Sequence, residues 1–410
     1  MNRISVSAPK TKIYTGIKLP SSKSICNRAL IIKALSKGDE SIDNLSDCDD
    51  TRVMVKALEE MAPTIDIMAA GTAMRFLTAY LSVTEGKHTI TGTERMKQRP
   101  ISILVDALMM LGADIEYAEN EGFPPLNING KSLYGGEISL PGNVSSQYIS
   151  ALMMIGPALE KGLKLTLTGE IISRPYINLT IQIMKEFGGK AEWTDERTLT
   201  VHPVKYHSVP YYVESDWSAA SYWYEIVALS DDAEITLPGL FENSFQGDSK
   251  VAEIFSELGV TTEYKDNNVI LRKNGKCTDR LVYNFINQPD LAQTFVVTCC
   301  MMDIPFKFSG LQSLKIKETD RIAALIKEMS KLGYVIEESN GSVLEWNGKR
   351  CKKDMDAGID TYEDHRMAMA FAPAALKTGS LTINEPQVVS KSYPHYWDNL
   401  STAGFGINNL

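Results

Sequence analysis

Three stretches in the second half of the chain crowd ionisable groups together at what read as helix starts. KIKETDR (315–321) packs Lys315, Lys317, Glu318, Asp320 and Arg321 into seven residues. QPDLAQTFVV (288–297) sets Asp290 at the mouth of an apolar helix, and TYEDHRMAMAFAPAAL (361–376) places Glu363, Asp364, His365 and Arg366 on an Ala/Met-rich one. VVSKSYPHYW adds Lys391. Carboxylates interleaved with Lys and Arg suit general acid–base chemistry on an anionic substrate, because the cations fix the anion while the acids move protons. Isolated surface ion pairs would use the same residue types, each worth about 0–1 kcal/mol. Their recurrence at equivalent places favours a site.

The first half supplies cations and hydroxyls instead. LPSSKSICNRAL (19–30) sets Lys23 and Arg28 among Ser21, Ser22, Ser24 and Asn27, more polar groups than one helix cap uses. MAAGTAMRFL (68–77) puts Gly71 and Thr72 where backbone N–H groups are open to an anion, with Arg75 one turn on. In RMKQRPISILVDAL (95–108), Arg95, Lys97 and Arg99 precede Pro100, predicted to start a helix at its first position. Cations there oppose the helix dipole unless an anion joins them. GNVSSQYISALMM (142–154) offers Ser145, Ser146 and Gln147, and ISRPYINL (172–179) offers Ser173 and Tyr176.

The elements that must position these residues repeat. An amphipathic helix, Leu/Phe-Gly or a close variant, then a strand recurs in VDALMMLGADIEY, IQIMKEFGGKAEW, AEIFSELGVTTEY and IKEMSKLGYVIEE. Their glycines, Gly112, Gly188, Gly259 and Gly333, lie 76, 71 and 74 residues apart, and a weaker copy puts Gly404 another 71 on. A first copy near MVKALEEMAPTIDIM has Ala62–Pro63 where the glycine should be, and only 50 residues separate Ala62 from Gly112. That first unit is expected to lack a strand pair. Six units imply two domains of three, with the seam near YYVESDWSAAS (211–221). The N-terminal strand ISVSAPK could join either half. Periodicity alone leaves open whether helices pack inward and sheets outward or the reverse.

At 410 residues, 44% hydrophobic and 23% charged, the chain has ordinary globular composition for two or three domains. The formal charge of −9 argues against nucleic-acid binding, and no apolar run is long enough to suggest a membrane partner. Six cysteines without a CxxC pair read as reduced thiols of a cytoplasmic protein, and five scattered histidines show no metal-ligand spacing. Neither GxxxxGK[ST] nor GxGxxG occurs.

LPSSKSICNRAL, AGTAMRFL, RMKQRP, VSSQYISAL, SRPY, QGD (246–248), QPDLAQ, KIKETDR and YEDHRMAMA follow the order and rough spacing of the 5-enolpyruvylshikimate-3-phosphate synthases, and the chain resembles that family over essentially its whole length. The resemblance implies an α/β fold (α+β in some schemes) of two domains, each with three βαβαββ units around a pseudo-threefold axis, as an inverse α/β barrel. It places residues 21–214 in one domain and 1–20 with 215–410 in the other, with a two-strand hinge near 20 and 214. The implied reaction moves the enolpyruvyl group of phosphoenolpyruvate to the 5-hydroxyl of shikimate 3-phosphate and releases phosphate, in a cytoplasmic monomer with no metal or organic cofactor, as its domains close.

Carried over position by position, the resemblance assigns Lys23, Ser24, Arg28, Ser145, Ser146, Gln147, Ser173, Tyr176, Asp290, Ser313 and Lys317 to shikimate 3-phosphate. Lys23, Gly71, Arg99, Gln147, Arg321, Arg366 and Lys391 fall to phosphoenolpyruvate, and Asp290, Lys317, Glu318 and Lys23 to catalysis. Ala69 stands where the family usually has Asn, and Ser313 where an Asn commonly contacts the shikimate phosphate. The alternatives are a catalytically impaired anion-binding homologue and the sister enzyme acting on UDP-N-acetylglucosamine. The latter typically carries a Cys or Asp where ERMKQRP (94–100) has neither, and Lys-Asn where this chain has Lys23-Ser24.

Overall fold

The computed structural model describes residues 2–354 and 358–410, and the chain is mixed α/β. It divides into two compact units, one of Ser21–Val213 and the other of the first 20 residues with Glu214–Leu410.

In the Ser21–Val213 unit, the helices Lys23–Ser36, Gly71–Val83 and Ser146–Ile155 are buried along most of their length and touch one another. Their sequences explain it: small and apolar residues lie on every face, so no stripe is left for solvent. Helices such as Asp49–Glu60 and Arg174–Glu186 have one apolar face and lie half-exposed. One four-stranded sheet orders Thr64–Asp66, Gly86–Thr91, Leu126–Gly130 and Asp114–Tyr117. A second orders Ala191–Trp193, Thr198–Val201, Leu163–Thr168 and Gly136–Pro141. The third is only the parallel pair Ile42–Asp43 with Tyr211–Tyr212. Leu126–Gly130 alternates buried and exposed residues, the pattern of a sheet with one covered face.

The other unit is built alike. Trp217–Leu229, Ala292–Met301 and His365–Phe371 are buried at every residue except Ser218, and the middle helix contacts the other two. Two four-stranded sheets surround Ala233–Pro238 and Phe306–Ser309. The N-terminal strand Arg3–Ser7 joins this unit, between Ser380–Asn384 and Gly406–Asn409. Among the described residues, no helix is long and apolar enough to cross a membrane.

Each recurring glycine has positive φ, between 79° and 102°, where a Cβ would be strained. In the first copy Met61 (φ 41°), not Ala62–Pro63, takes the left-handed position after the Asp49–Glu60 helix. Pro100 also differs from expectation. It does not begin a helix, because the Arg99 N–H closes onto the Met96 carbonyl and the Ile101 N–H bonds the Gly122 carbonyl (2.9 Å). The helix starts at Ser102, and Arg95 and Lys97 lie on a separate Glu94–Lys97 turn capped by Thr93.

Candidate active site

In the Glu214–Leu410 unit, five segments deliver charged side chains to one cluster, one of them the 3-10 turn Pro386–Lys391 that ends in Lys391. Asp290 lies on the 3-10 turn Pro289–Leu291, which runs into the Ala292–Met301 helix. Lys317 and Glu318 follow the 3-10 turn Gln312–Ile316. Arg321 opens the next helix, capped by Asp320, and Asp364 caps the helix that carries Arg366.

Arg321, only 1% exposed, is the hub. Its Nε donates to Asp364 Oδ2 (2.6 Å), its Nη1 to Asp290 Oδ1 (2.9 Å) and its Nη2 to Glu318 Oε2 (2.9 Å). Asp290 also meets Arg366 Nη2 (3.1 Å) and Lys317 Nζ (3.4 Å), and Lys391 Nζ meets Glu318 Oε1 (3.1 Å). Lys317 and Glu318, neighbours in sequence, thus turn to different partners. Burial alone would raise the Asp290 pKa, yet Arg366, Lys317 and Arg321 hold it well below the usual carboxylate range. Asp248 of the QGD stretch accepts from the Ser218 hydroxyl, and burial, then the Asp290 charge, push it up to about 6. Ser313 lies half-buried on the Gln312–Ile316 turn, and no hydrogen bond ties it to the cluster among the described residues.

The Ser21–Val213 unit arranges its cations differently. Ser22 makes no side-chain cap on the Lys23–Ser36 helix, so the surplus hydroxyls of LPSSKS are not used for capping there. Lys23 Nζ lies 3.2 Å from the buried Asp50. Arg28, 2% exposed, donates to the Ser24 carbonyl (2.8 Å), Thr180 Oγ1 (2.7 Å) and Ser150 Oγ (3.0 Å), all neutral, and its guanidinium lies 5.3 Å from the Phe76 ring centroid. Burial pulls its pKa down to about 10, which still leaves it charged at neutral pH. Tyr176, half-buried, accepts from Thr180 through its carbonyl, and its own N–H bonds the carbonyl of Ser173, which has left-handed backbone (φ 54°).

A second group forms around Gly71. Arg75 Nη1 donates to its carbonyl (2.7 Å), and a Cβ there would sit 2.6 Å from Arg99 Nη1 and 2.8 Å from Arg75 Nη1. Glycine lets two guanidinium groups close on that backbone, and a Cβ would push them away. Gln147 Nε2 donates to Thr72 Oγ1 (3.1 Å), Ser145 caps the helix by accepting from the Gln147 N–H (3.4 Å), and Ser146 is its first residue.

The sequence motifs leave Asp50, Ser150 and Thr180 without roles, and they include Asp364 and Arg75 without naming a partner for either. Only the fold shows that Asp50 and Asp364 each face a cation.

The model of the EPSP synthase (3-phosphoshikimate 1-carboxyvinyltransferase) family matches residues 8–68 and 61–400. The chain is 64% identical over 405 residues to the 3-phosphoshikimate 1-carboxyvinyltransferase of Bacteroides fragilis, covering 99% of this chain and 98% of that one. It is 36% identical over 420 residues to the Vibrio campbellii protein of that name, covering 96% and 97%. The EPSP synthase structure from Acinetobacter baumannii superposes with a TM-score of 0.80 at 19% identity over the full length of both chains, a likeness of fold. Matched across almost its whole length, this chain belongs to the EPSP synthase family.

Proposed function

We propose that the protein transfers the enolpyruvyl group of phosphoenolpyruvate to the 5-hydroxyl of shikimate 3-phosphate and releases phosphate, as the names of its relatives indicate. The observation that carries this reading is Asp290, a largely buried carboxylate kept ionised by Arg321, Arg366 and Lys317. Held so low, it is a weak base while those cations face it alone. An anionic substrate that engages Arg321 and Arg366 offsets their field and raises its basicity.

The 5-hydroxyl oxygen attacks C2 of phosphoenolpyruvate and its proton passes to Asp290, while C3 gains a proton from the Lys317 or Glu318 side. The resulting tetrahedral adduct loses a proton from its methyl group and expels phosphate, which restores the double bond. Lys23, Ser24, Arg28, Ser145, Ser146, Gln147, Ser173 and Tyr176 bind shikimate 3-phosphate, and Ser313 is a further contact. Lys23, Gly71, Arg99, Gln147, Arg321, Arg366 and Lys391 bind phosphoenolpyruvate, the guanidinium groups among them matching carboxylate and phosphate oxygens in pairs. Each compact unit is read as three βαβαββ repeats around a pseudo-threefold axis, the first repeat shortened, in a cytoplasmic monomer.

The test is phosphate release by purified protein. Release that requires both substrates and is lost in Asp290→Ala and Lys317→Met supports the reading. Tight binding of shikimate 3-phosphate without release overturns it in favour of an impaired binding protein.

A further inference from the structure

The Arg321–Lys331 helix holds the chain segment ahead of Arg366 at two points. At its start, Arg321 grips Asp364 through two nitrogens (2.6 and 3.3 Å). Two turns later Glu328, fully buried, accepts from the Tyr362 hydroxyl (2.6 Å), the Asp360 N–H (3.0 Å) and Lys331 Nζ (2.7 Å). Lys331 in turn bonds the Gly358 carbonyl (2.9 Å) and Asp360 Oδ2 (3.0 Å), and Asn384 secures the other oxygen of Asp360 (2.6 Å).

Between the two grips lie Tyr362 and Glu363, consecutive residues in left-handed backbone with φ of 53° and 56°. Side chains bearing a Cβ adopt that conformation only when the surroundings impose it. The turn ends at Asp364, whose N–H bonds the Thr361 carbonyl (2.8 Å) and whose Oδ1 accepts from the Arg366 N–H (2.9 Å). The direction in which Arg366 leaves the backbone is therefore set by this turn.

We infer that Glu328, with Tyr362 and Lys331, is a positioning group for the reaction: it locks the left-handed Tyr362–Glu363 turn and so aims Arg366, and Asp364 onto Arg321. It touches no substrate. The inference rests on the proposed role of Arg321 and Arg366 toward phosphoenolpyruvate.

The test compares Glu328→Gln and the milder Tyr362→Phe with Tyr224→Phe, which removes a buried hydroxyl bonded to Thr262 elsewhere in the same unit. Steady-state constants for each substrate and amide exchange over 358–366 are measured. Glu328→Gln should raise KM for phosphoenolpyruvate about tenfold and Tyr362→Phe about threefold, as small misplacements of positioning groups do. KM for shikimate 3-phosphate should stay within about twofold. Both variants should speed exchange at 360–366, and Tyr224→Phe should do neither. Unchanged exchange overturns the inference, as does faster exchange with wild-type KM for phosphoenolpyruvate. Wild-type protein inactive with both substrates would instead overturn the functional reading, while exchange would still decide whether Glu328 holds the turn.

Discussion

The two compact units use the same helix starts for opposite electrostatic ends. In the Glu214–Leu410 unit every cation of the cluster meets a carboxylate: Arg321 touches three, and Arg366, Lys317 and Lys391 one each. In the Ser21–Val213 unit Lys23 meets Asp50, but the buried Arg28 meets only a carbonyl and two hydroxyls, and Arg75 bonds the Gly71 carbonyl. Neutral partners orient a cation without cancelling it, so its charge stays available to an anion. Interleaved acids cancel charge but supply groups that can carry protons. On the proposed reading, the Ser21–Val213 unit mainly binds and the Glu214–Leu410 unit binds and reacts. Substitutions can separate the two.

The largest expected effect is on turnover. Asp290→Asn keeps the shape but not the base, and phosphate release should fall by about 10²–10⁴-fold, measured in single-turnover mixing. Next is Arg28→Lys, which loses the planar fork that reaches Ser24, Ser150 and Thr180 together. Shikimate 3-phosphate should bind about 10–100-fold more weakly, the worth of about 1.5–3 kcal/mol for hydrogen bonds to a charged group; titration calorimetry reads it.

Gly71→Ala should act more narrowly. Its methyl would displace the ends of two flexible side chains rather than backbone, so the helix still forms. KM for phosphoenolpyruvate should rise about tenfold, with shikimate 3-phosphate binding unchanged.

The smallest effect on activity belongs to Glu225, which sharpens the comparison within one unit. Unlike the partly exposed Asp290 it is fully buried, and among the described residues no cation offsets that burial, which pushes its pKa well above the usual range. The signs are opposite. Asp290, depressed when folded, stabilises the protein above about pH 4 and loses that as pH falls toward its folded pKa. Glu225, raised when folded, leaves stability complete below about pH 4 and erodes it as pH rises toward its folded pKa. Glu225→Gln should therefore gain stability over wild type at pH 8 and little at pH 4, with activity within about twofold of wild type. Urea melts at the two pH values check it.

Much of this was legible in the sequence where the signal is local. The recurring glycines announced helix ends because positive φ favours glycine, and the helix read as apolar after Asp290 is buried throughout. Asp290, Lys317, Glu318, Arg321, Arg366 and Lys391 were singled out from short motifs, and the fold joins them in one bonded cluster. What stayed hidden is long-range. Ser150 and Thr180 reach Arg28 across 122 and 152 residues. Asp50 and Asp364 each hold a cation from a distant segment, Lys23 and Arg321, and Asp364 also caps its helix. Pro100 misled because its ring suits a helix start, while the backbone bonds of Arg99 and Ile101 decide the local path.

The division between binding and reaction is tested most directly by one paired measurement: shikimate 3-phosphate affinity and single-turnover phosphate release in Asp290→Asn and Arg28→Lys. Asp290→Asn should bind within about tenfold of wild type and release almost nothing, whereas Arg28→Lys should bind poorly yet turn over at saturation. Asp290→Asn that turns over normally, or Arg28→Lys that binds normally, would contradict the account.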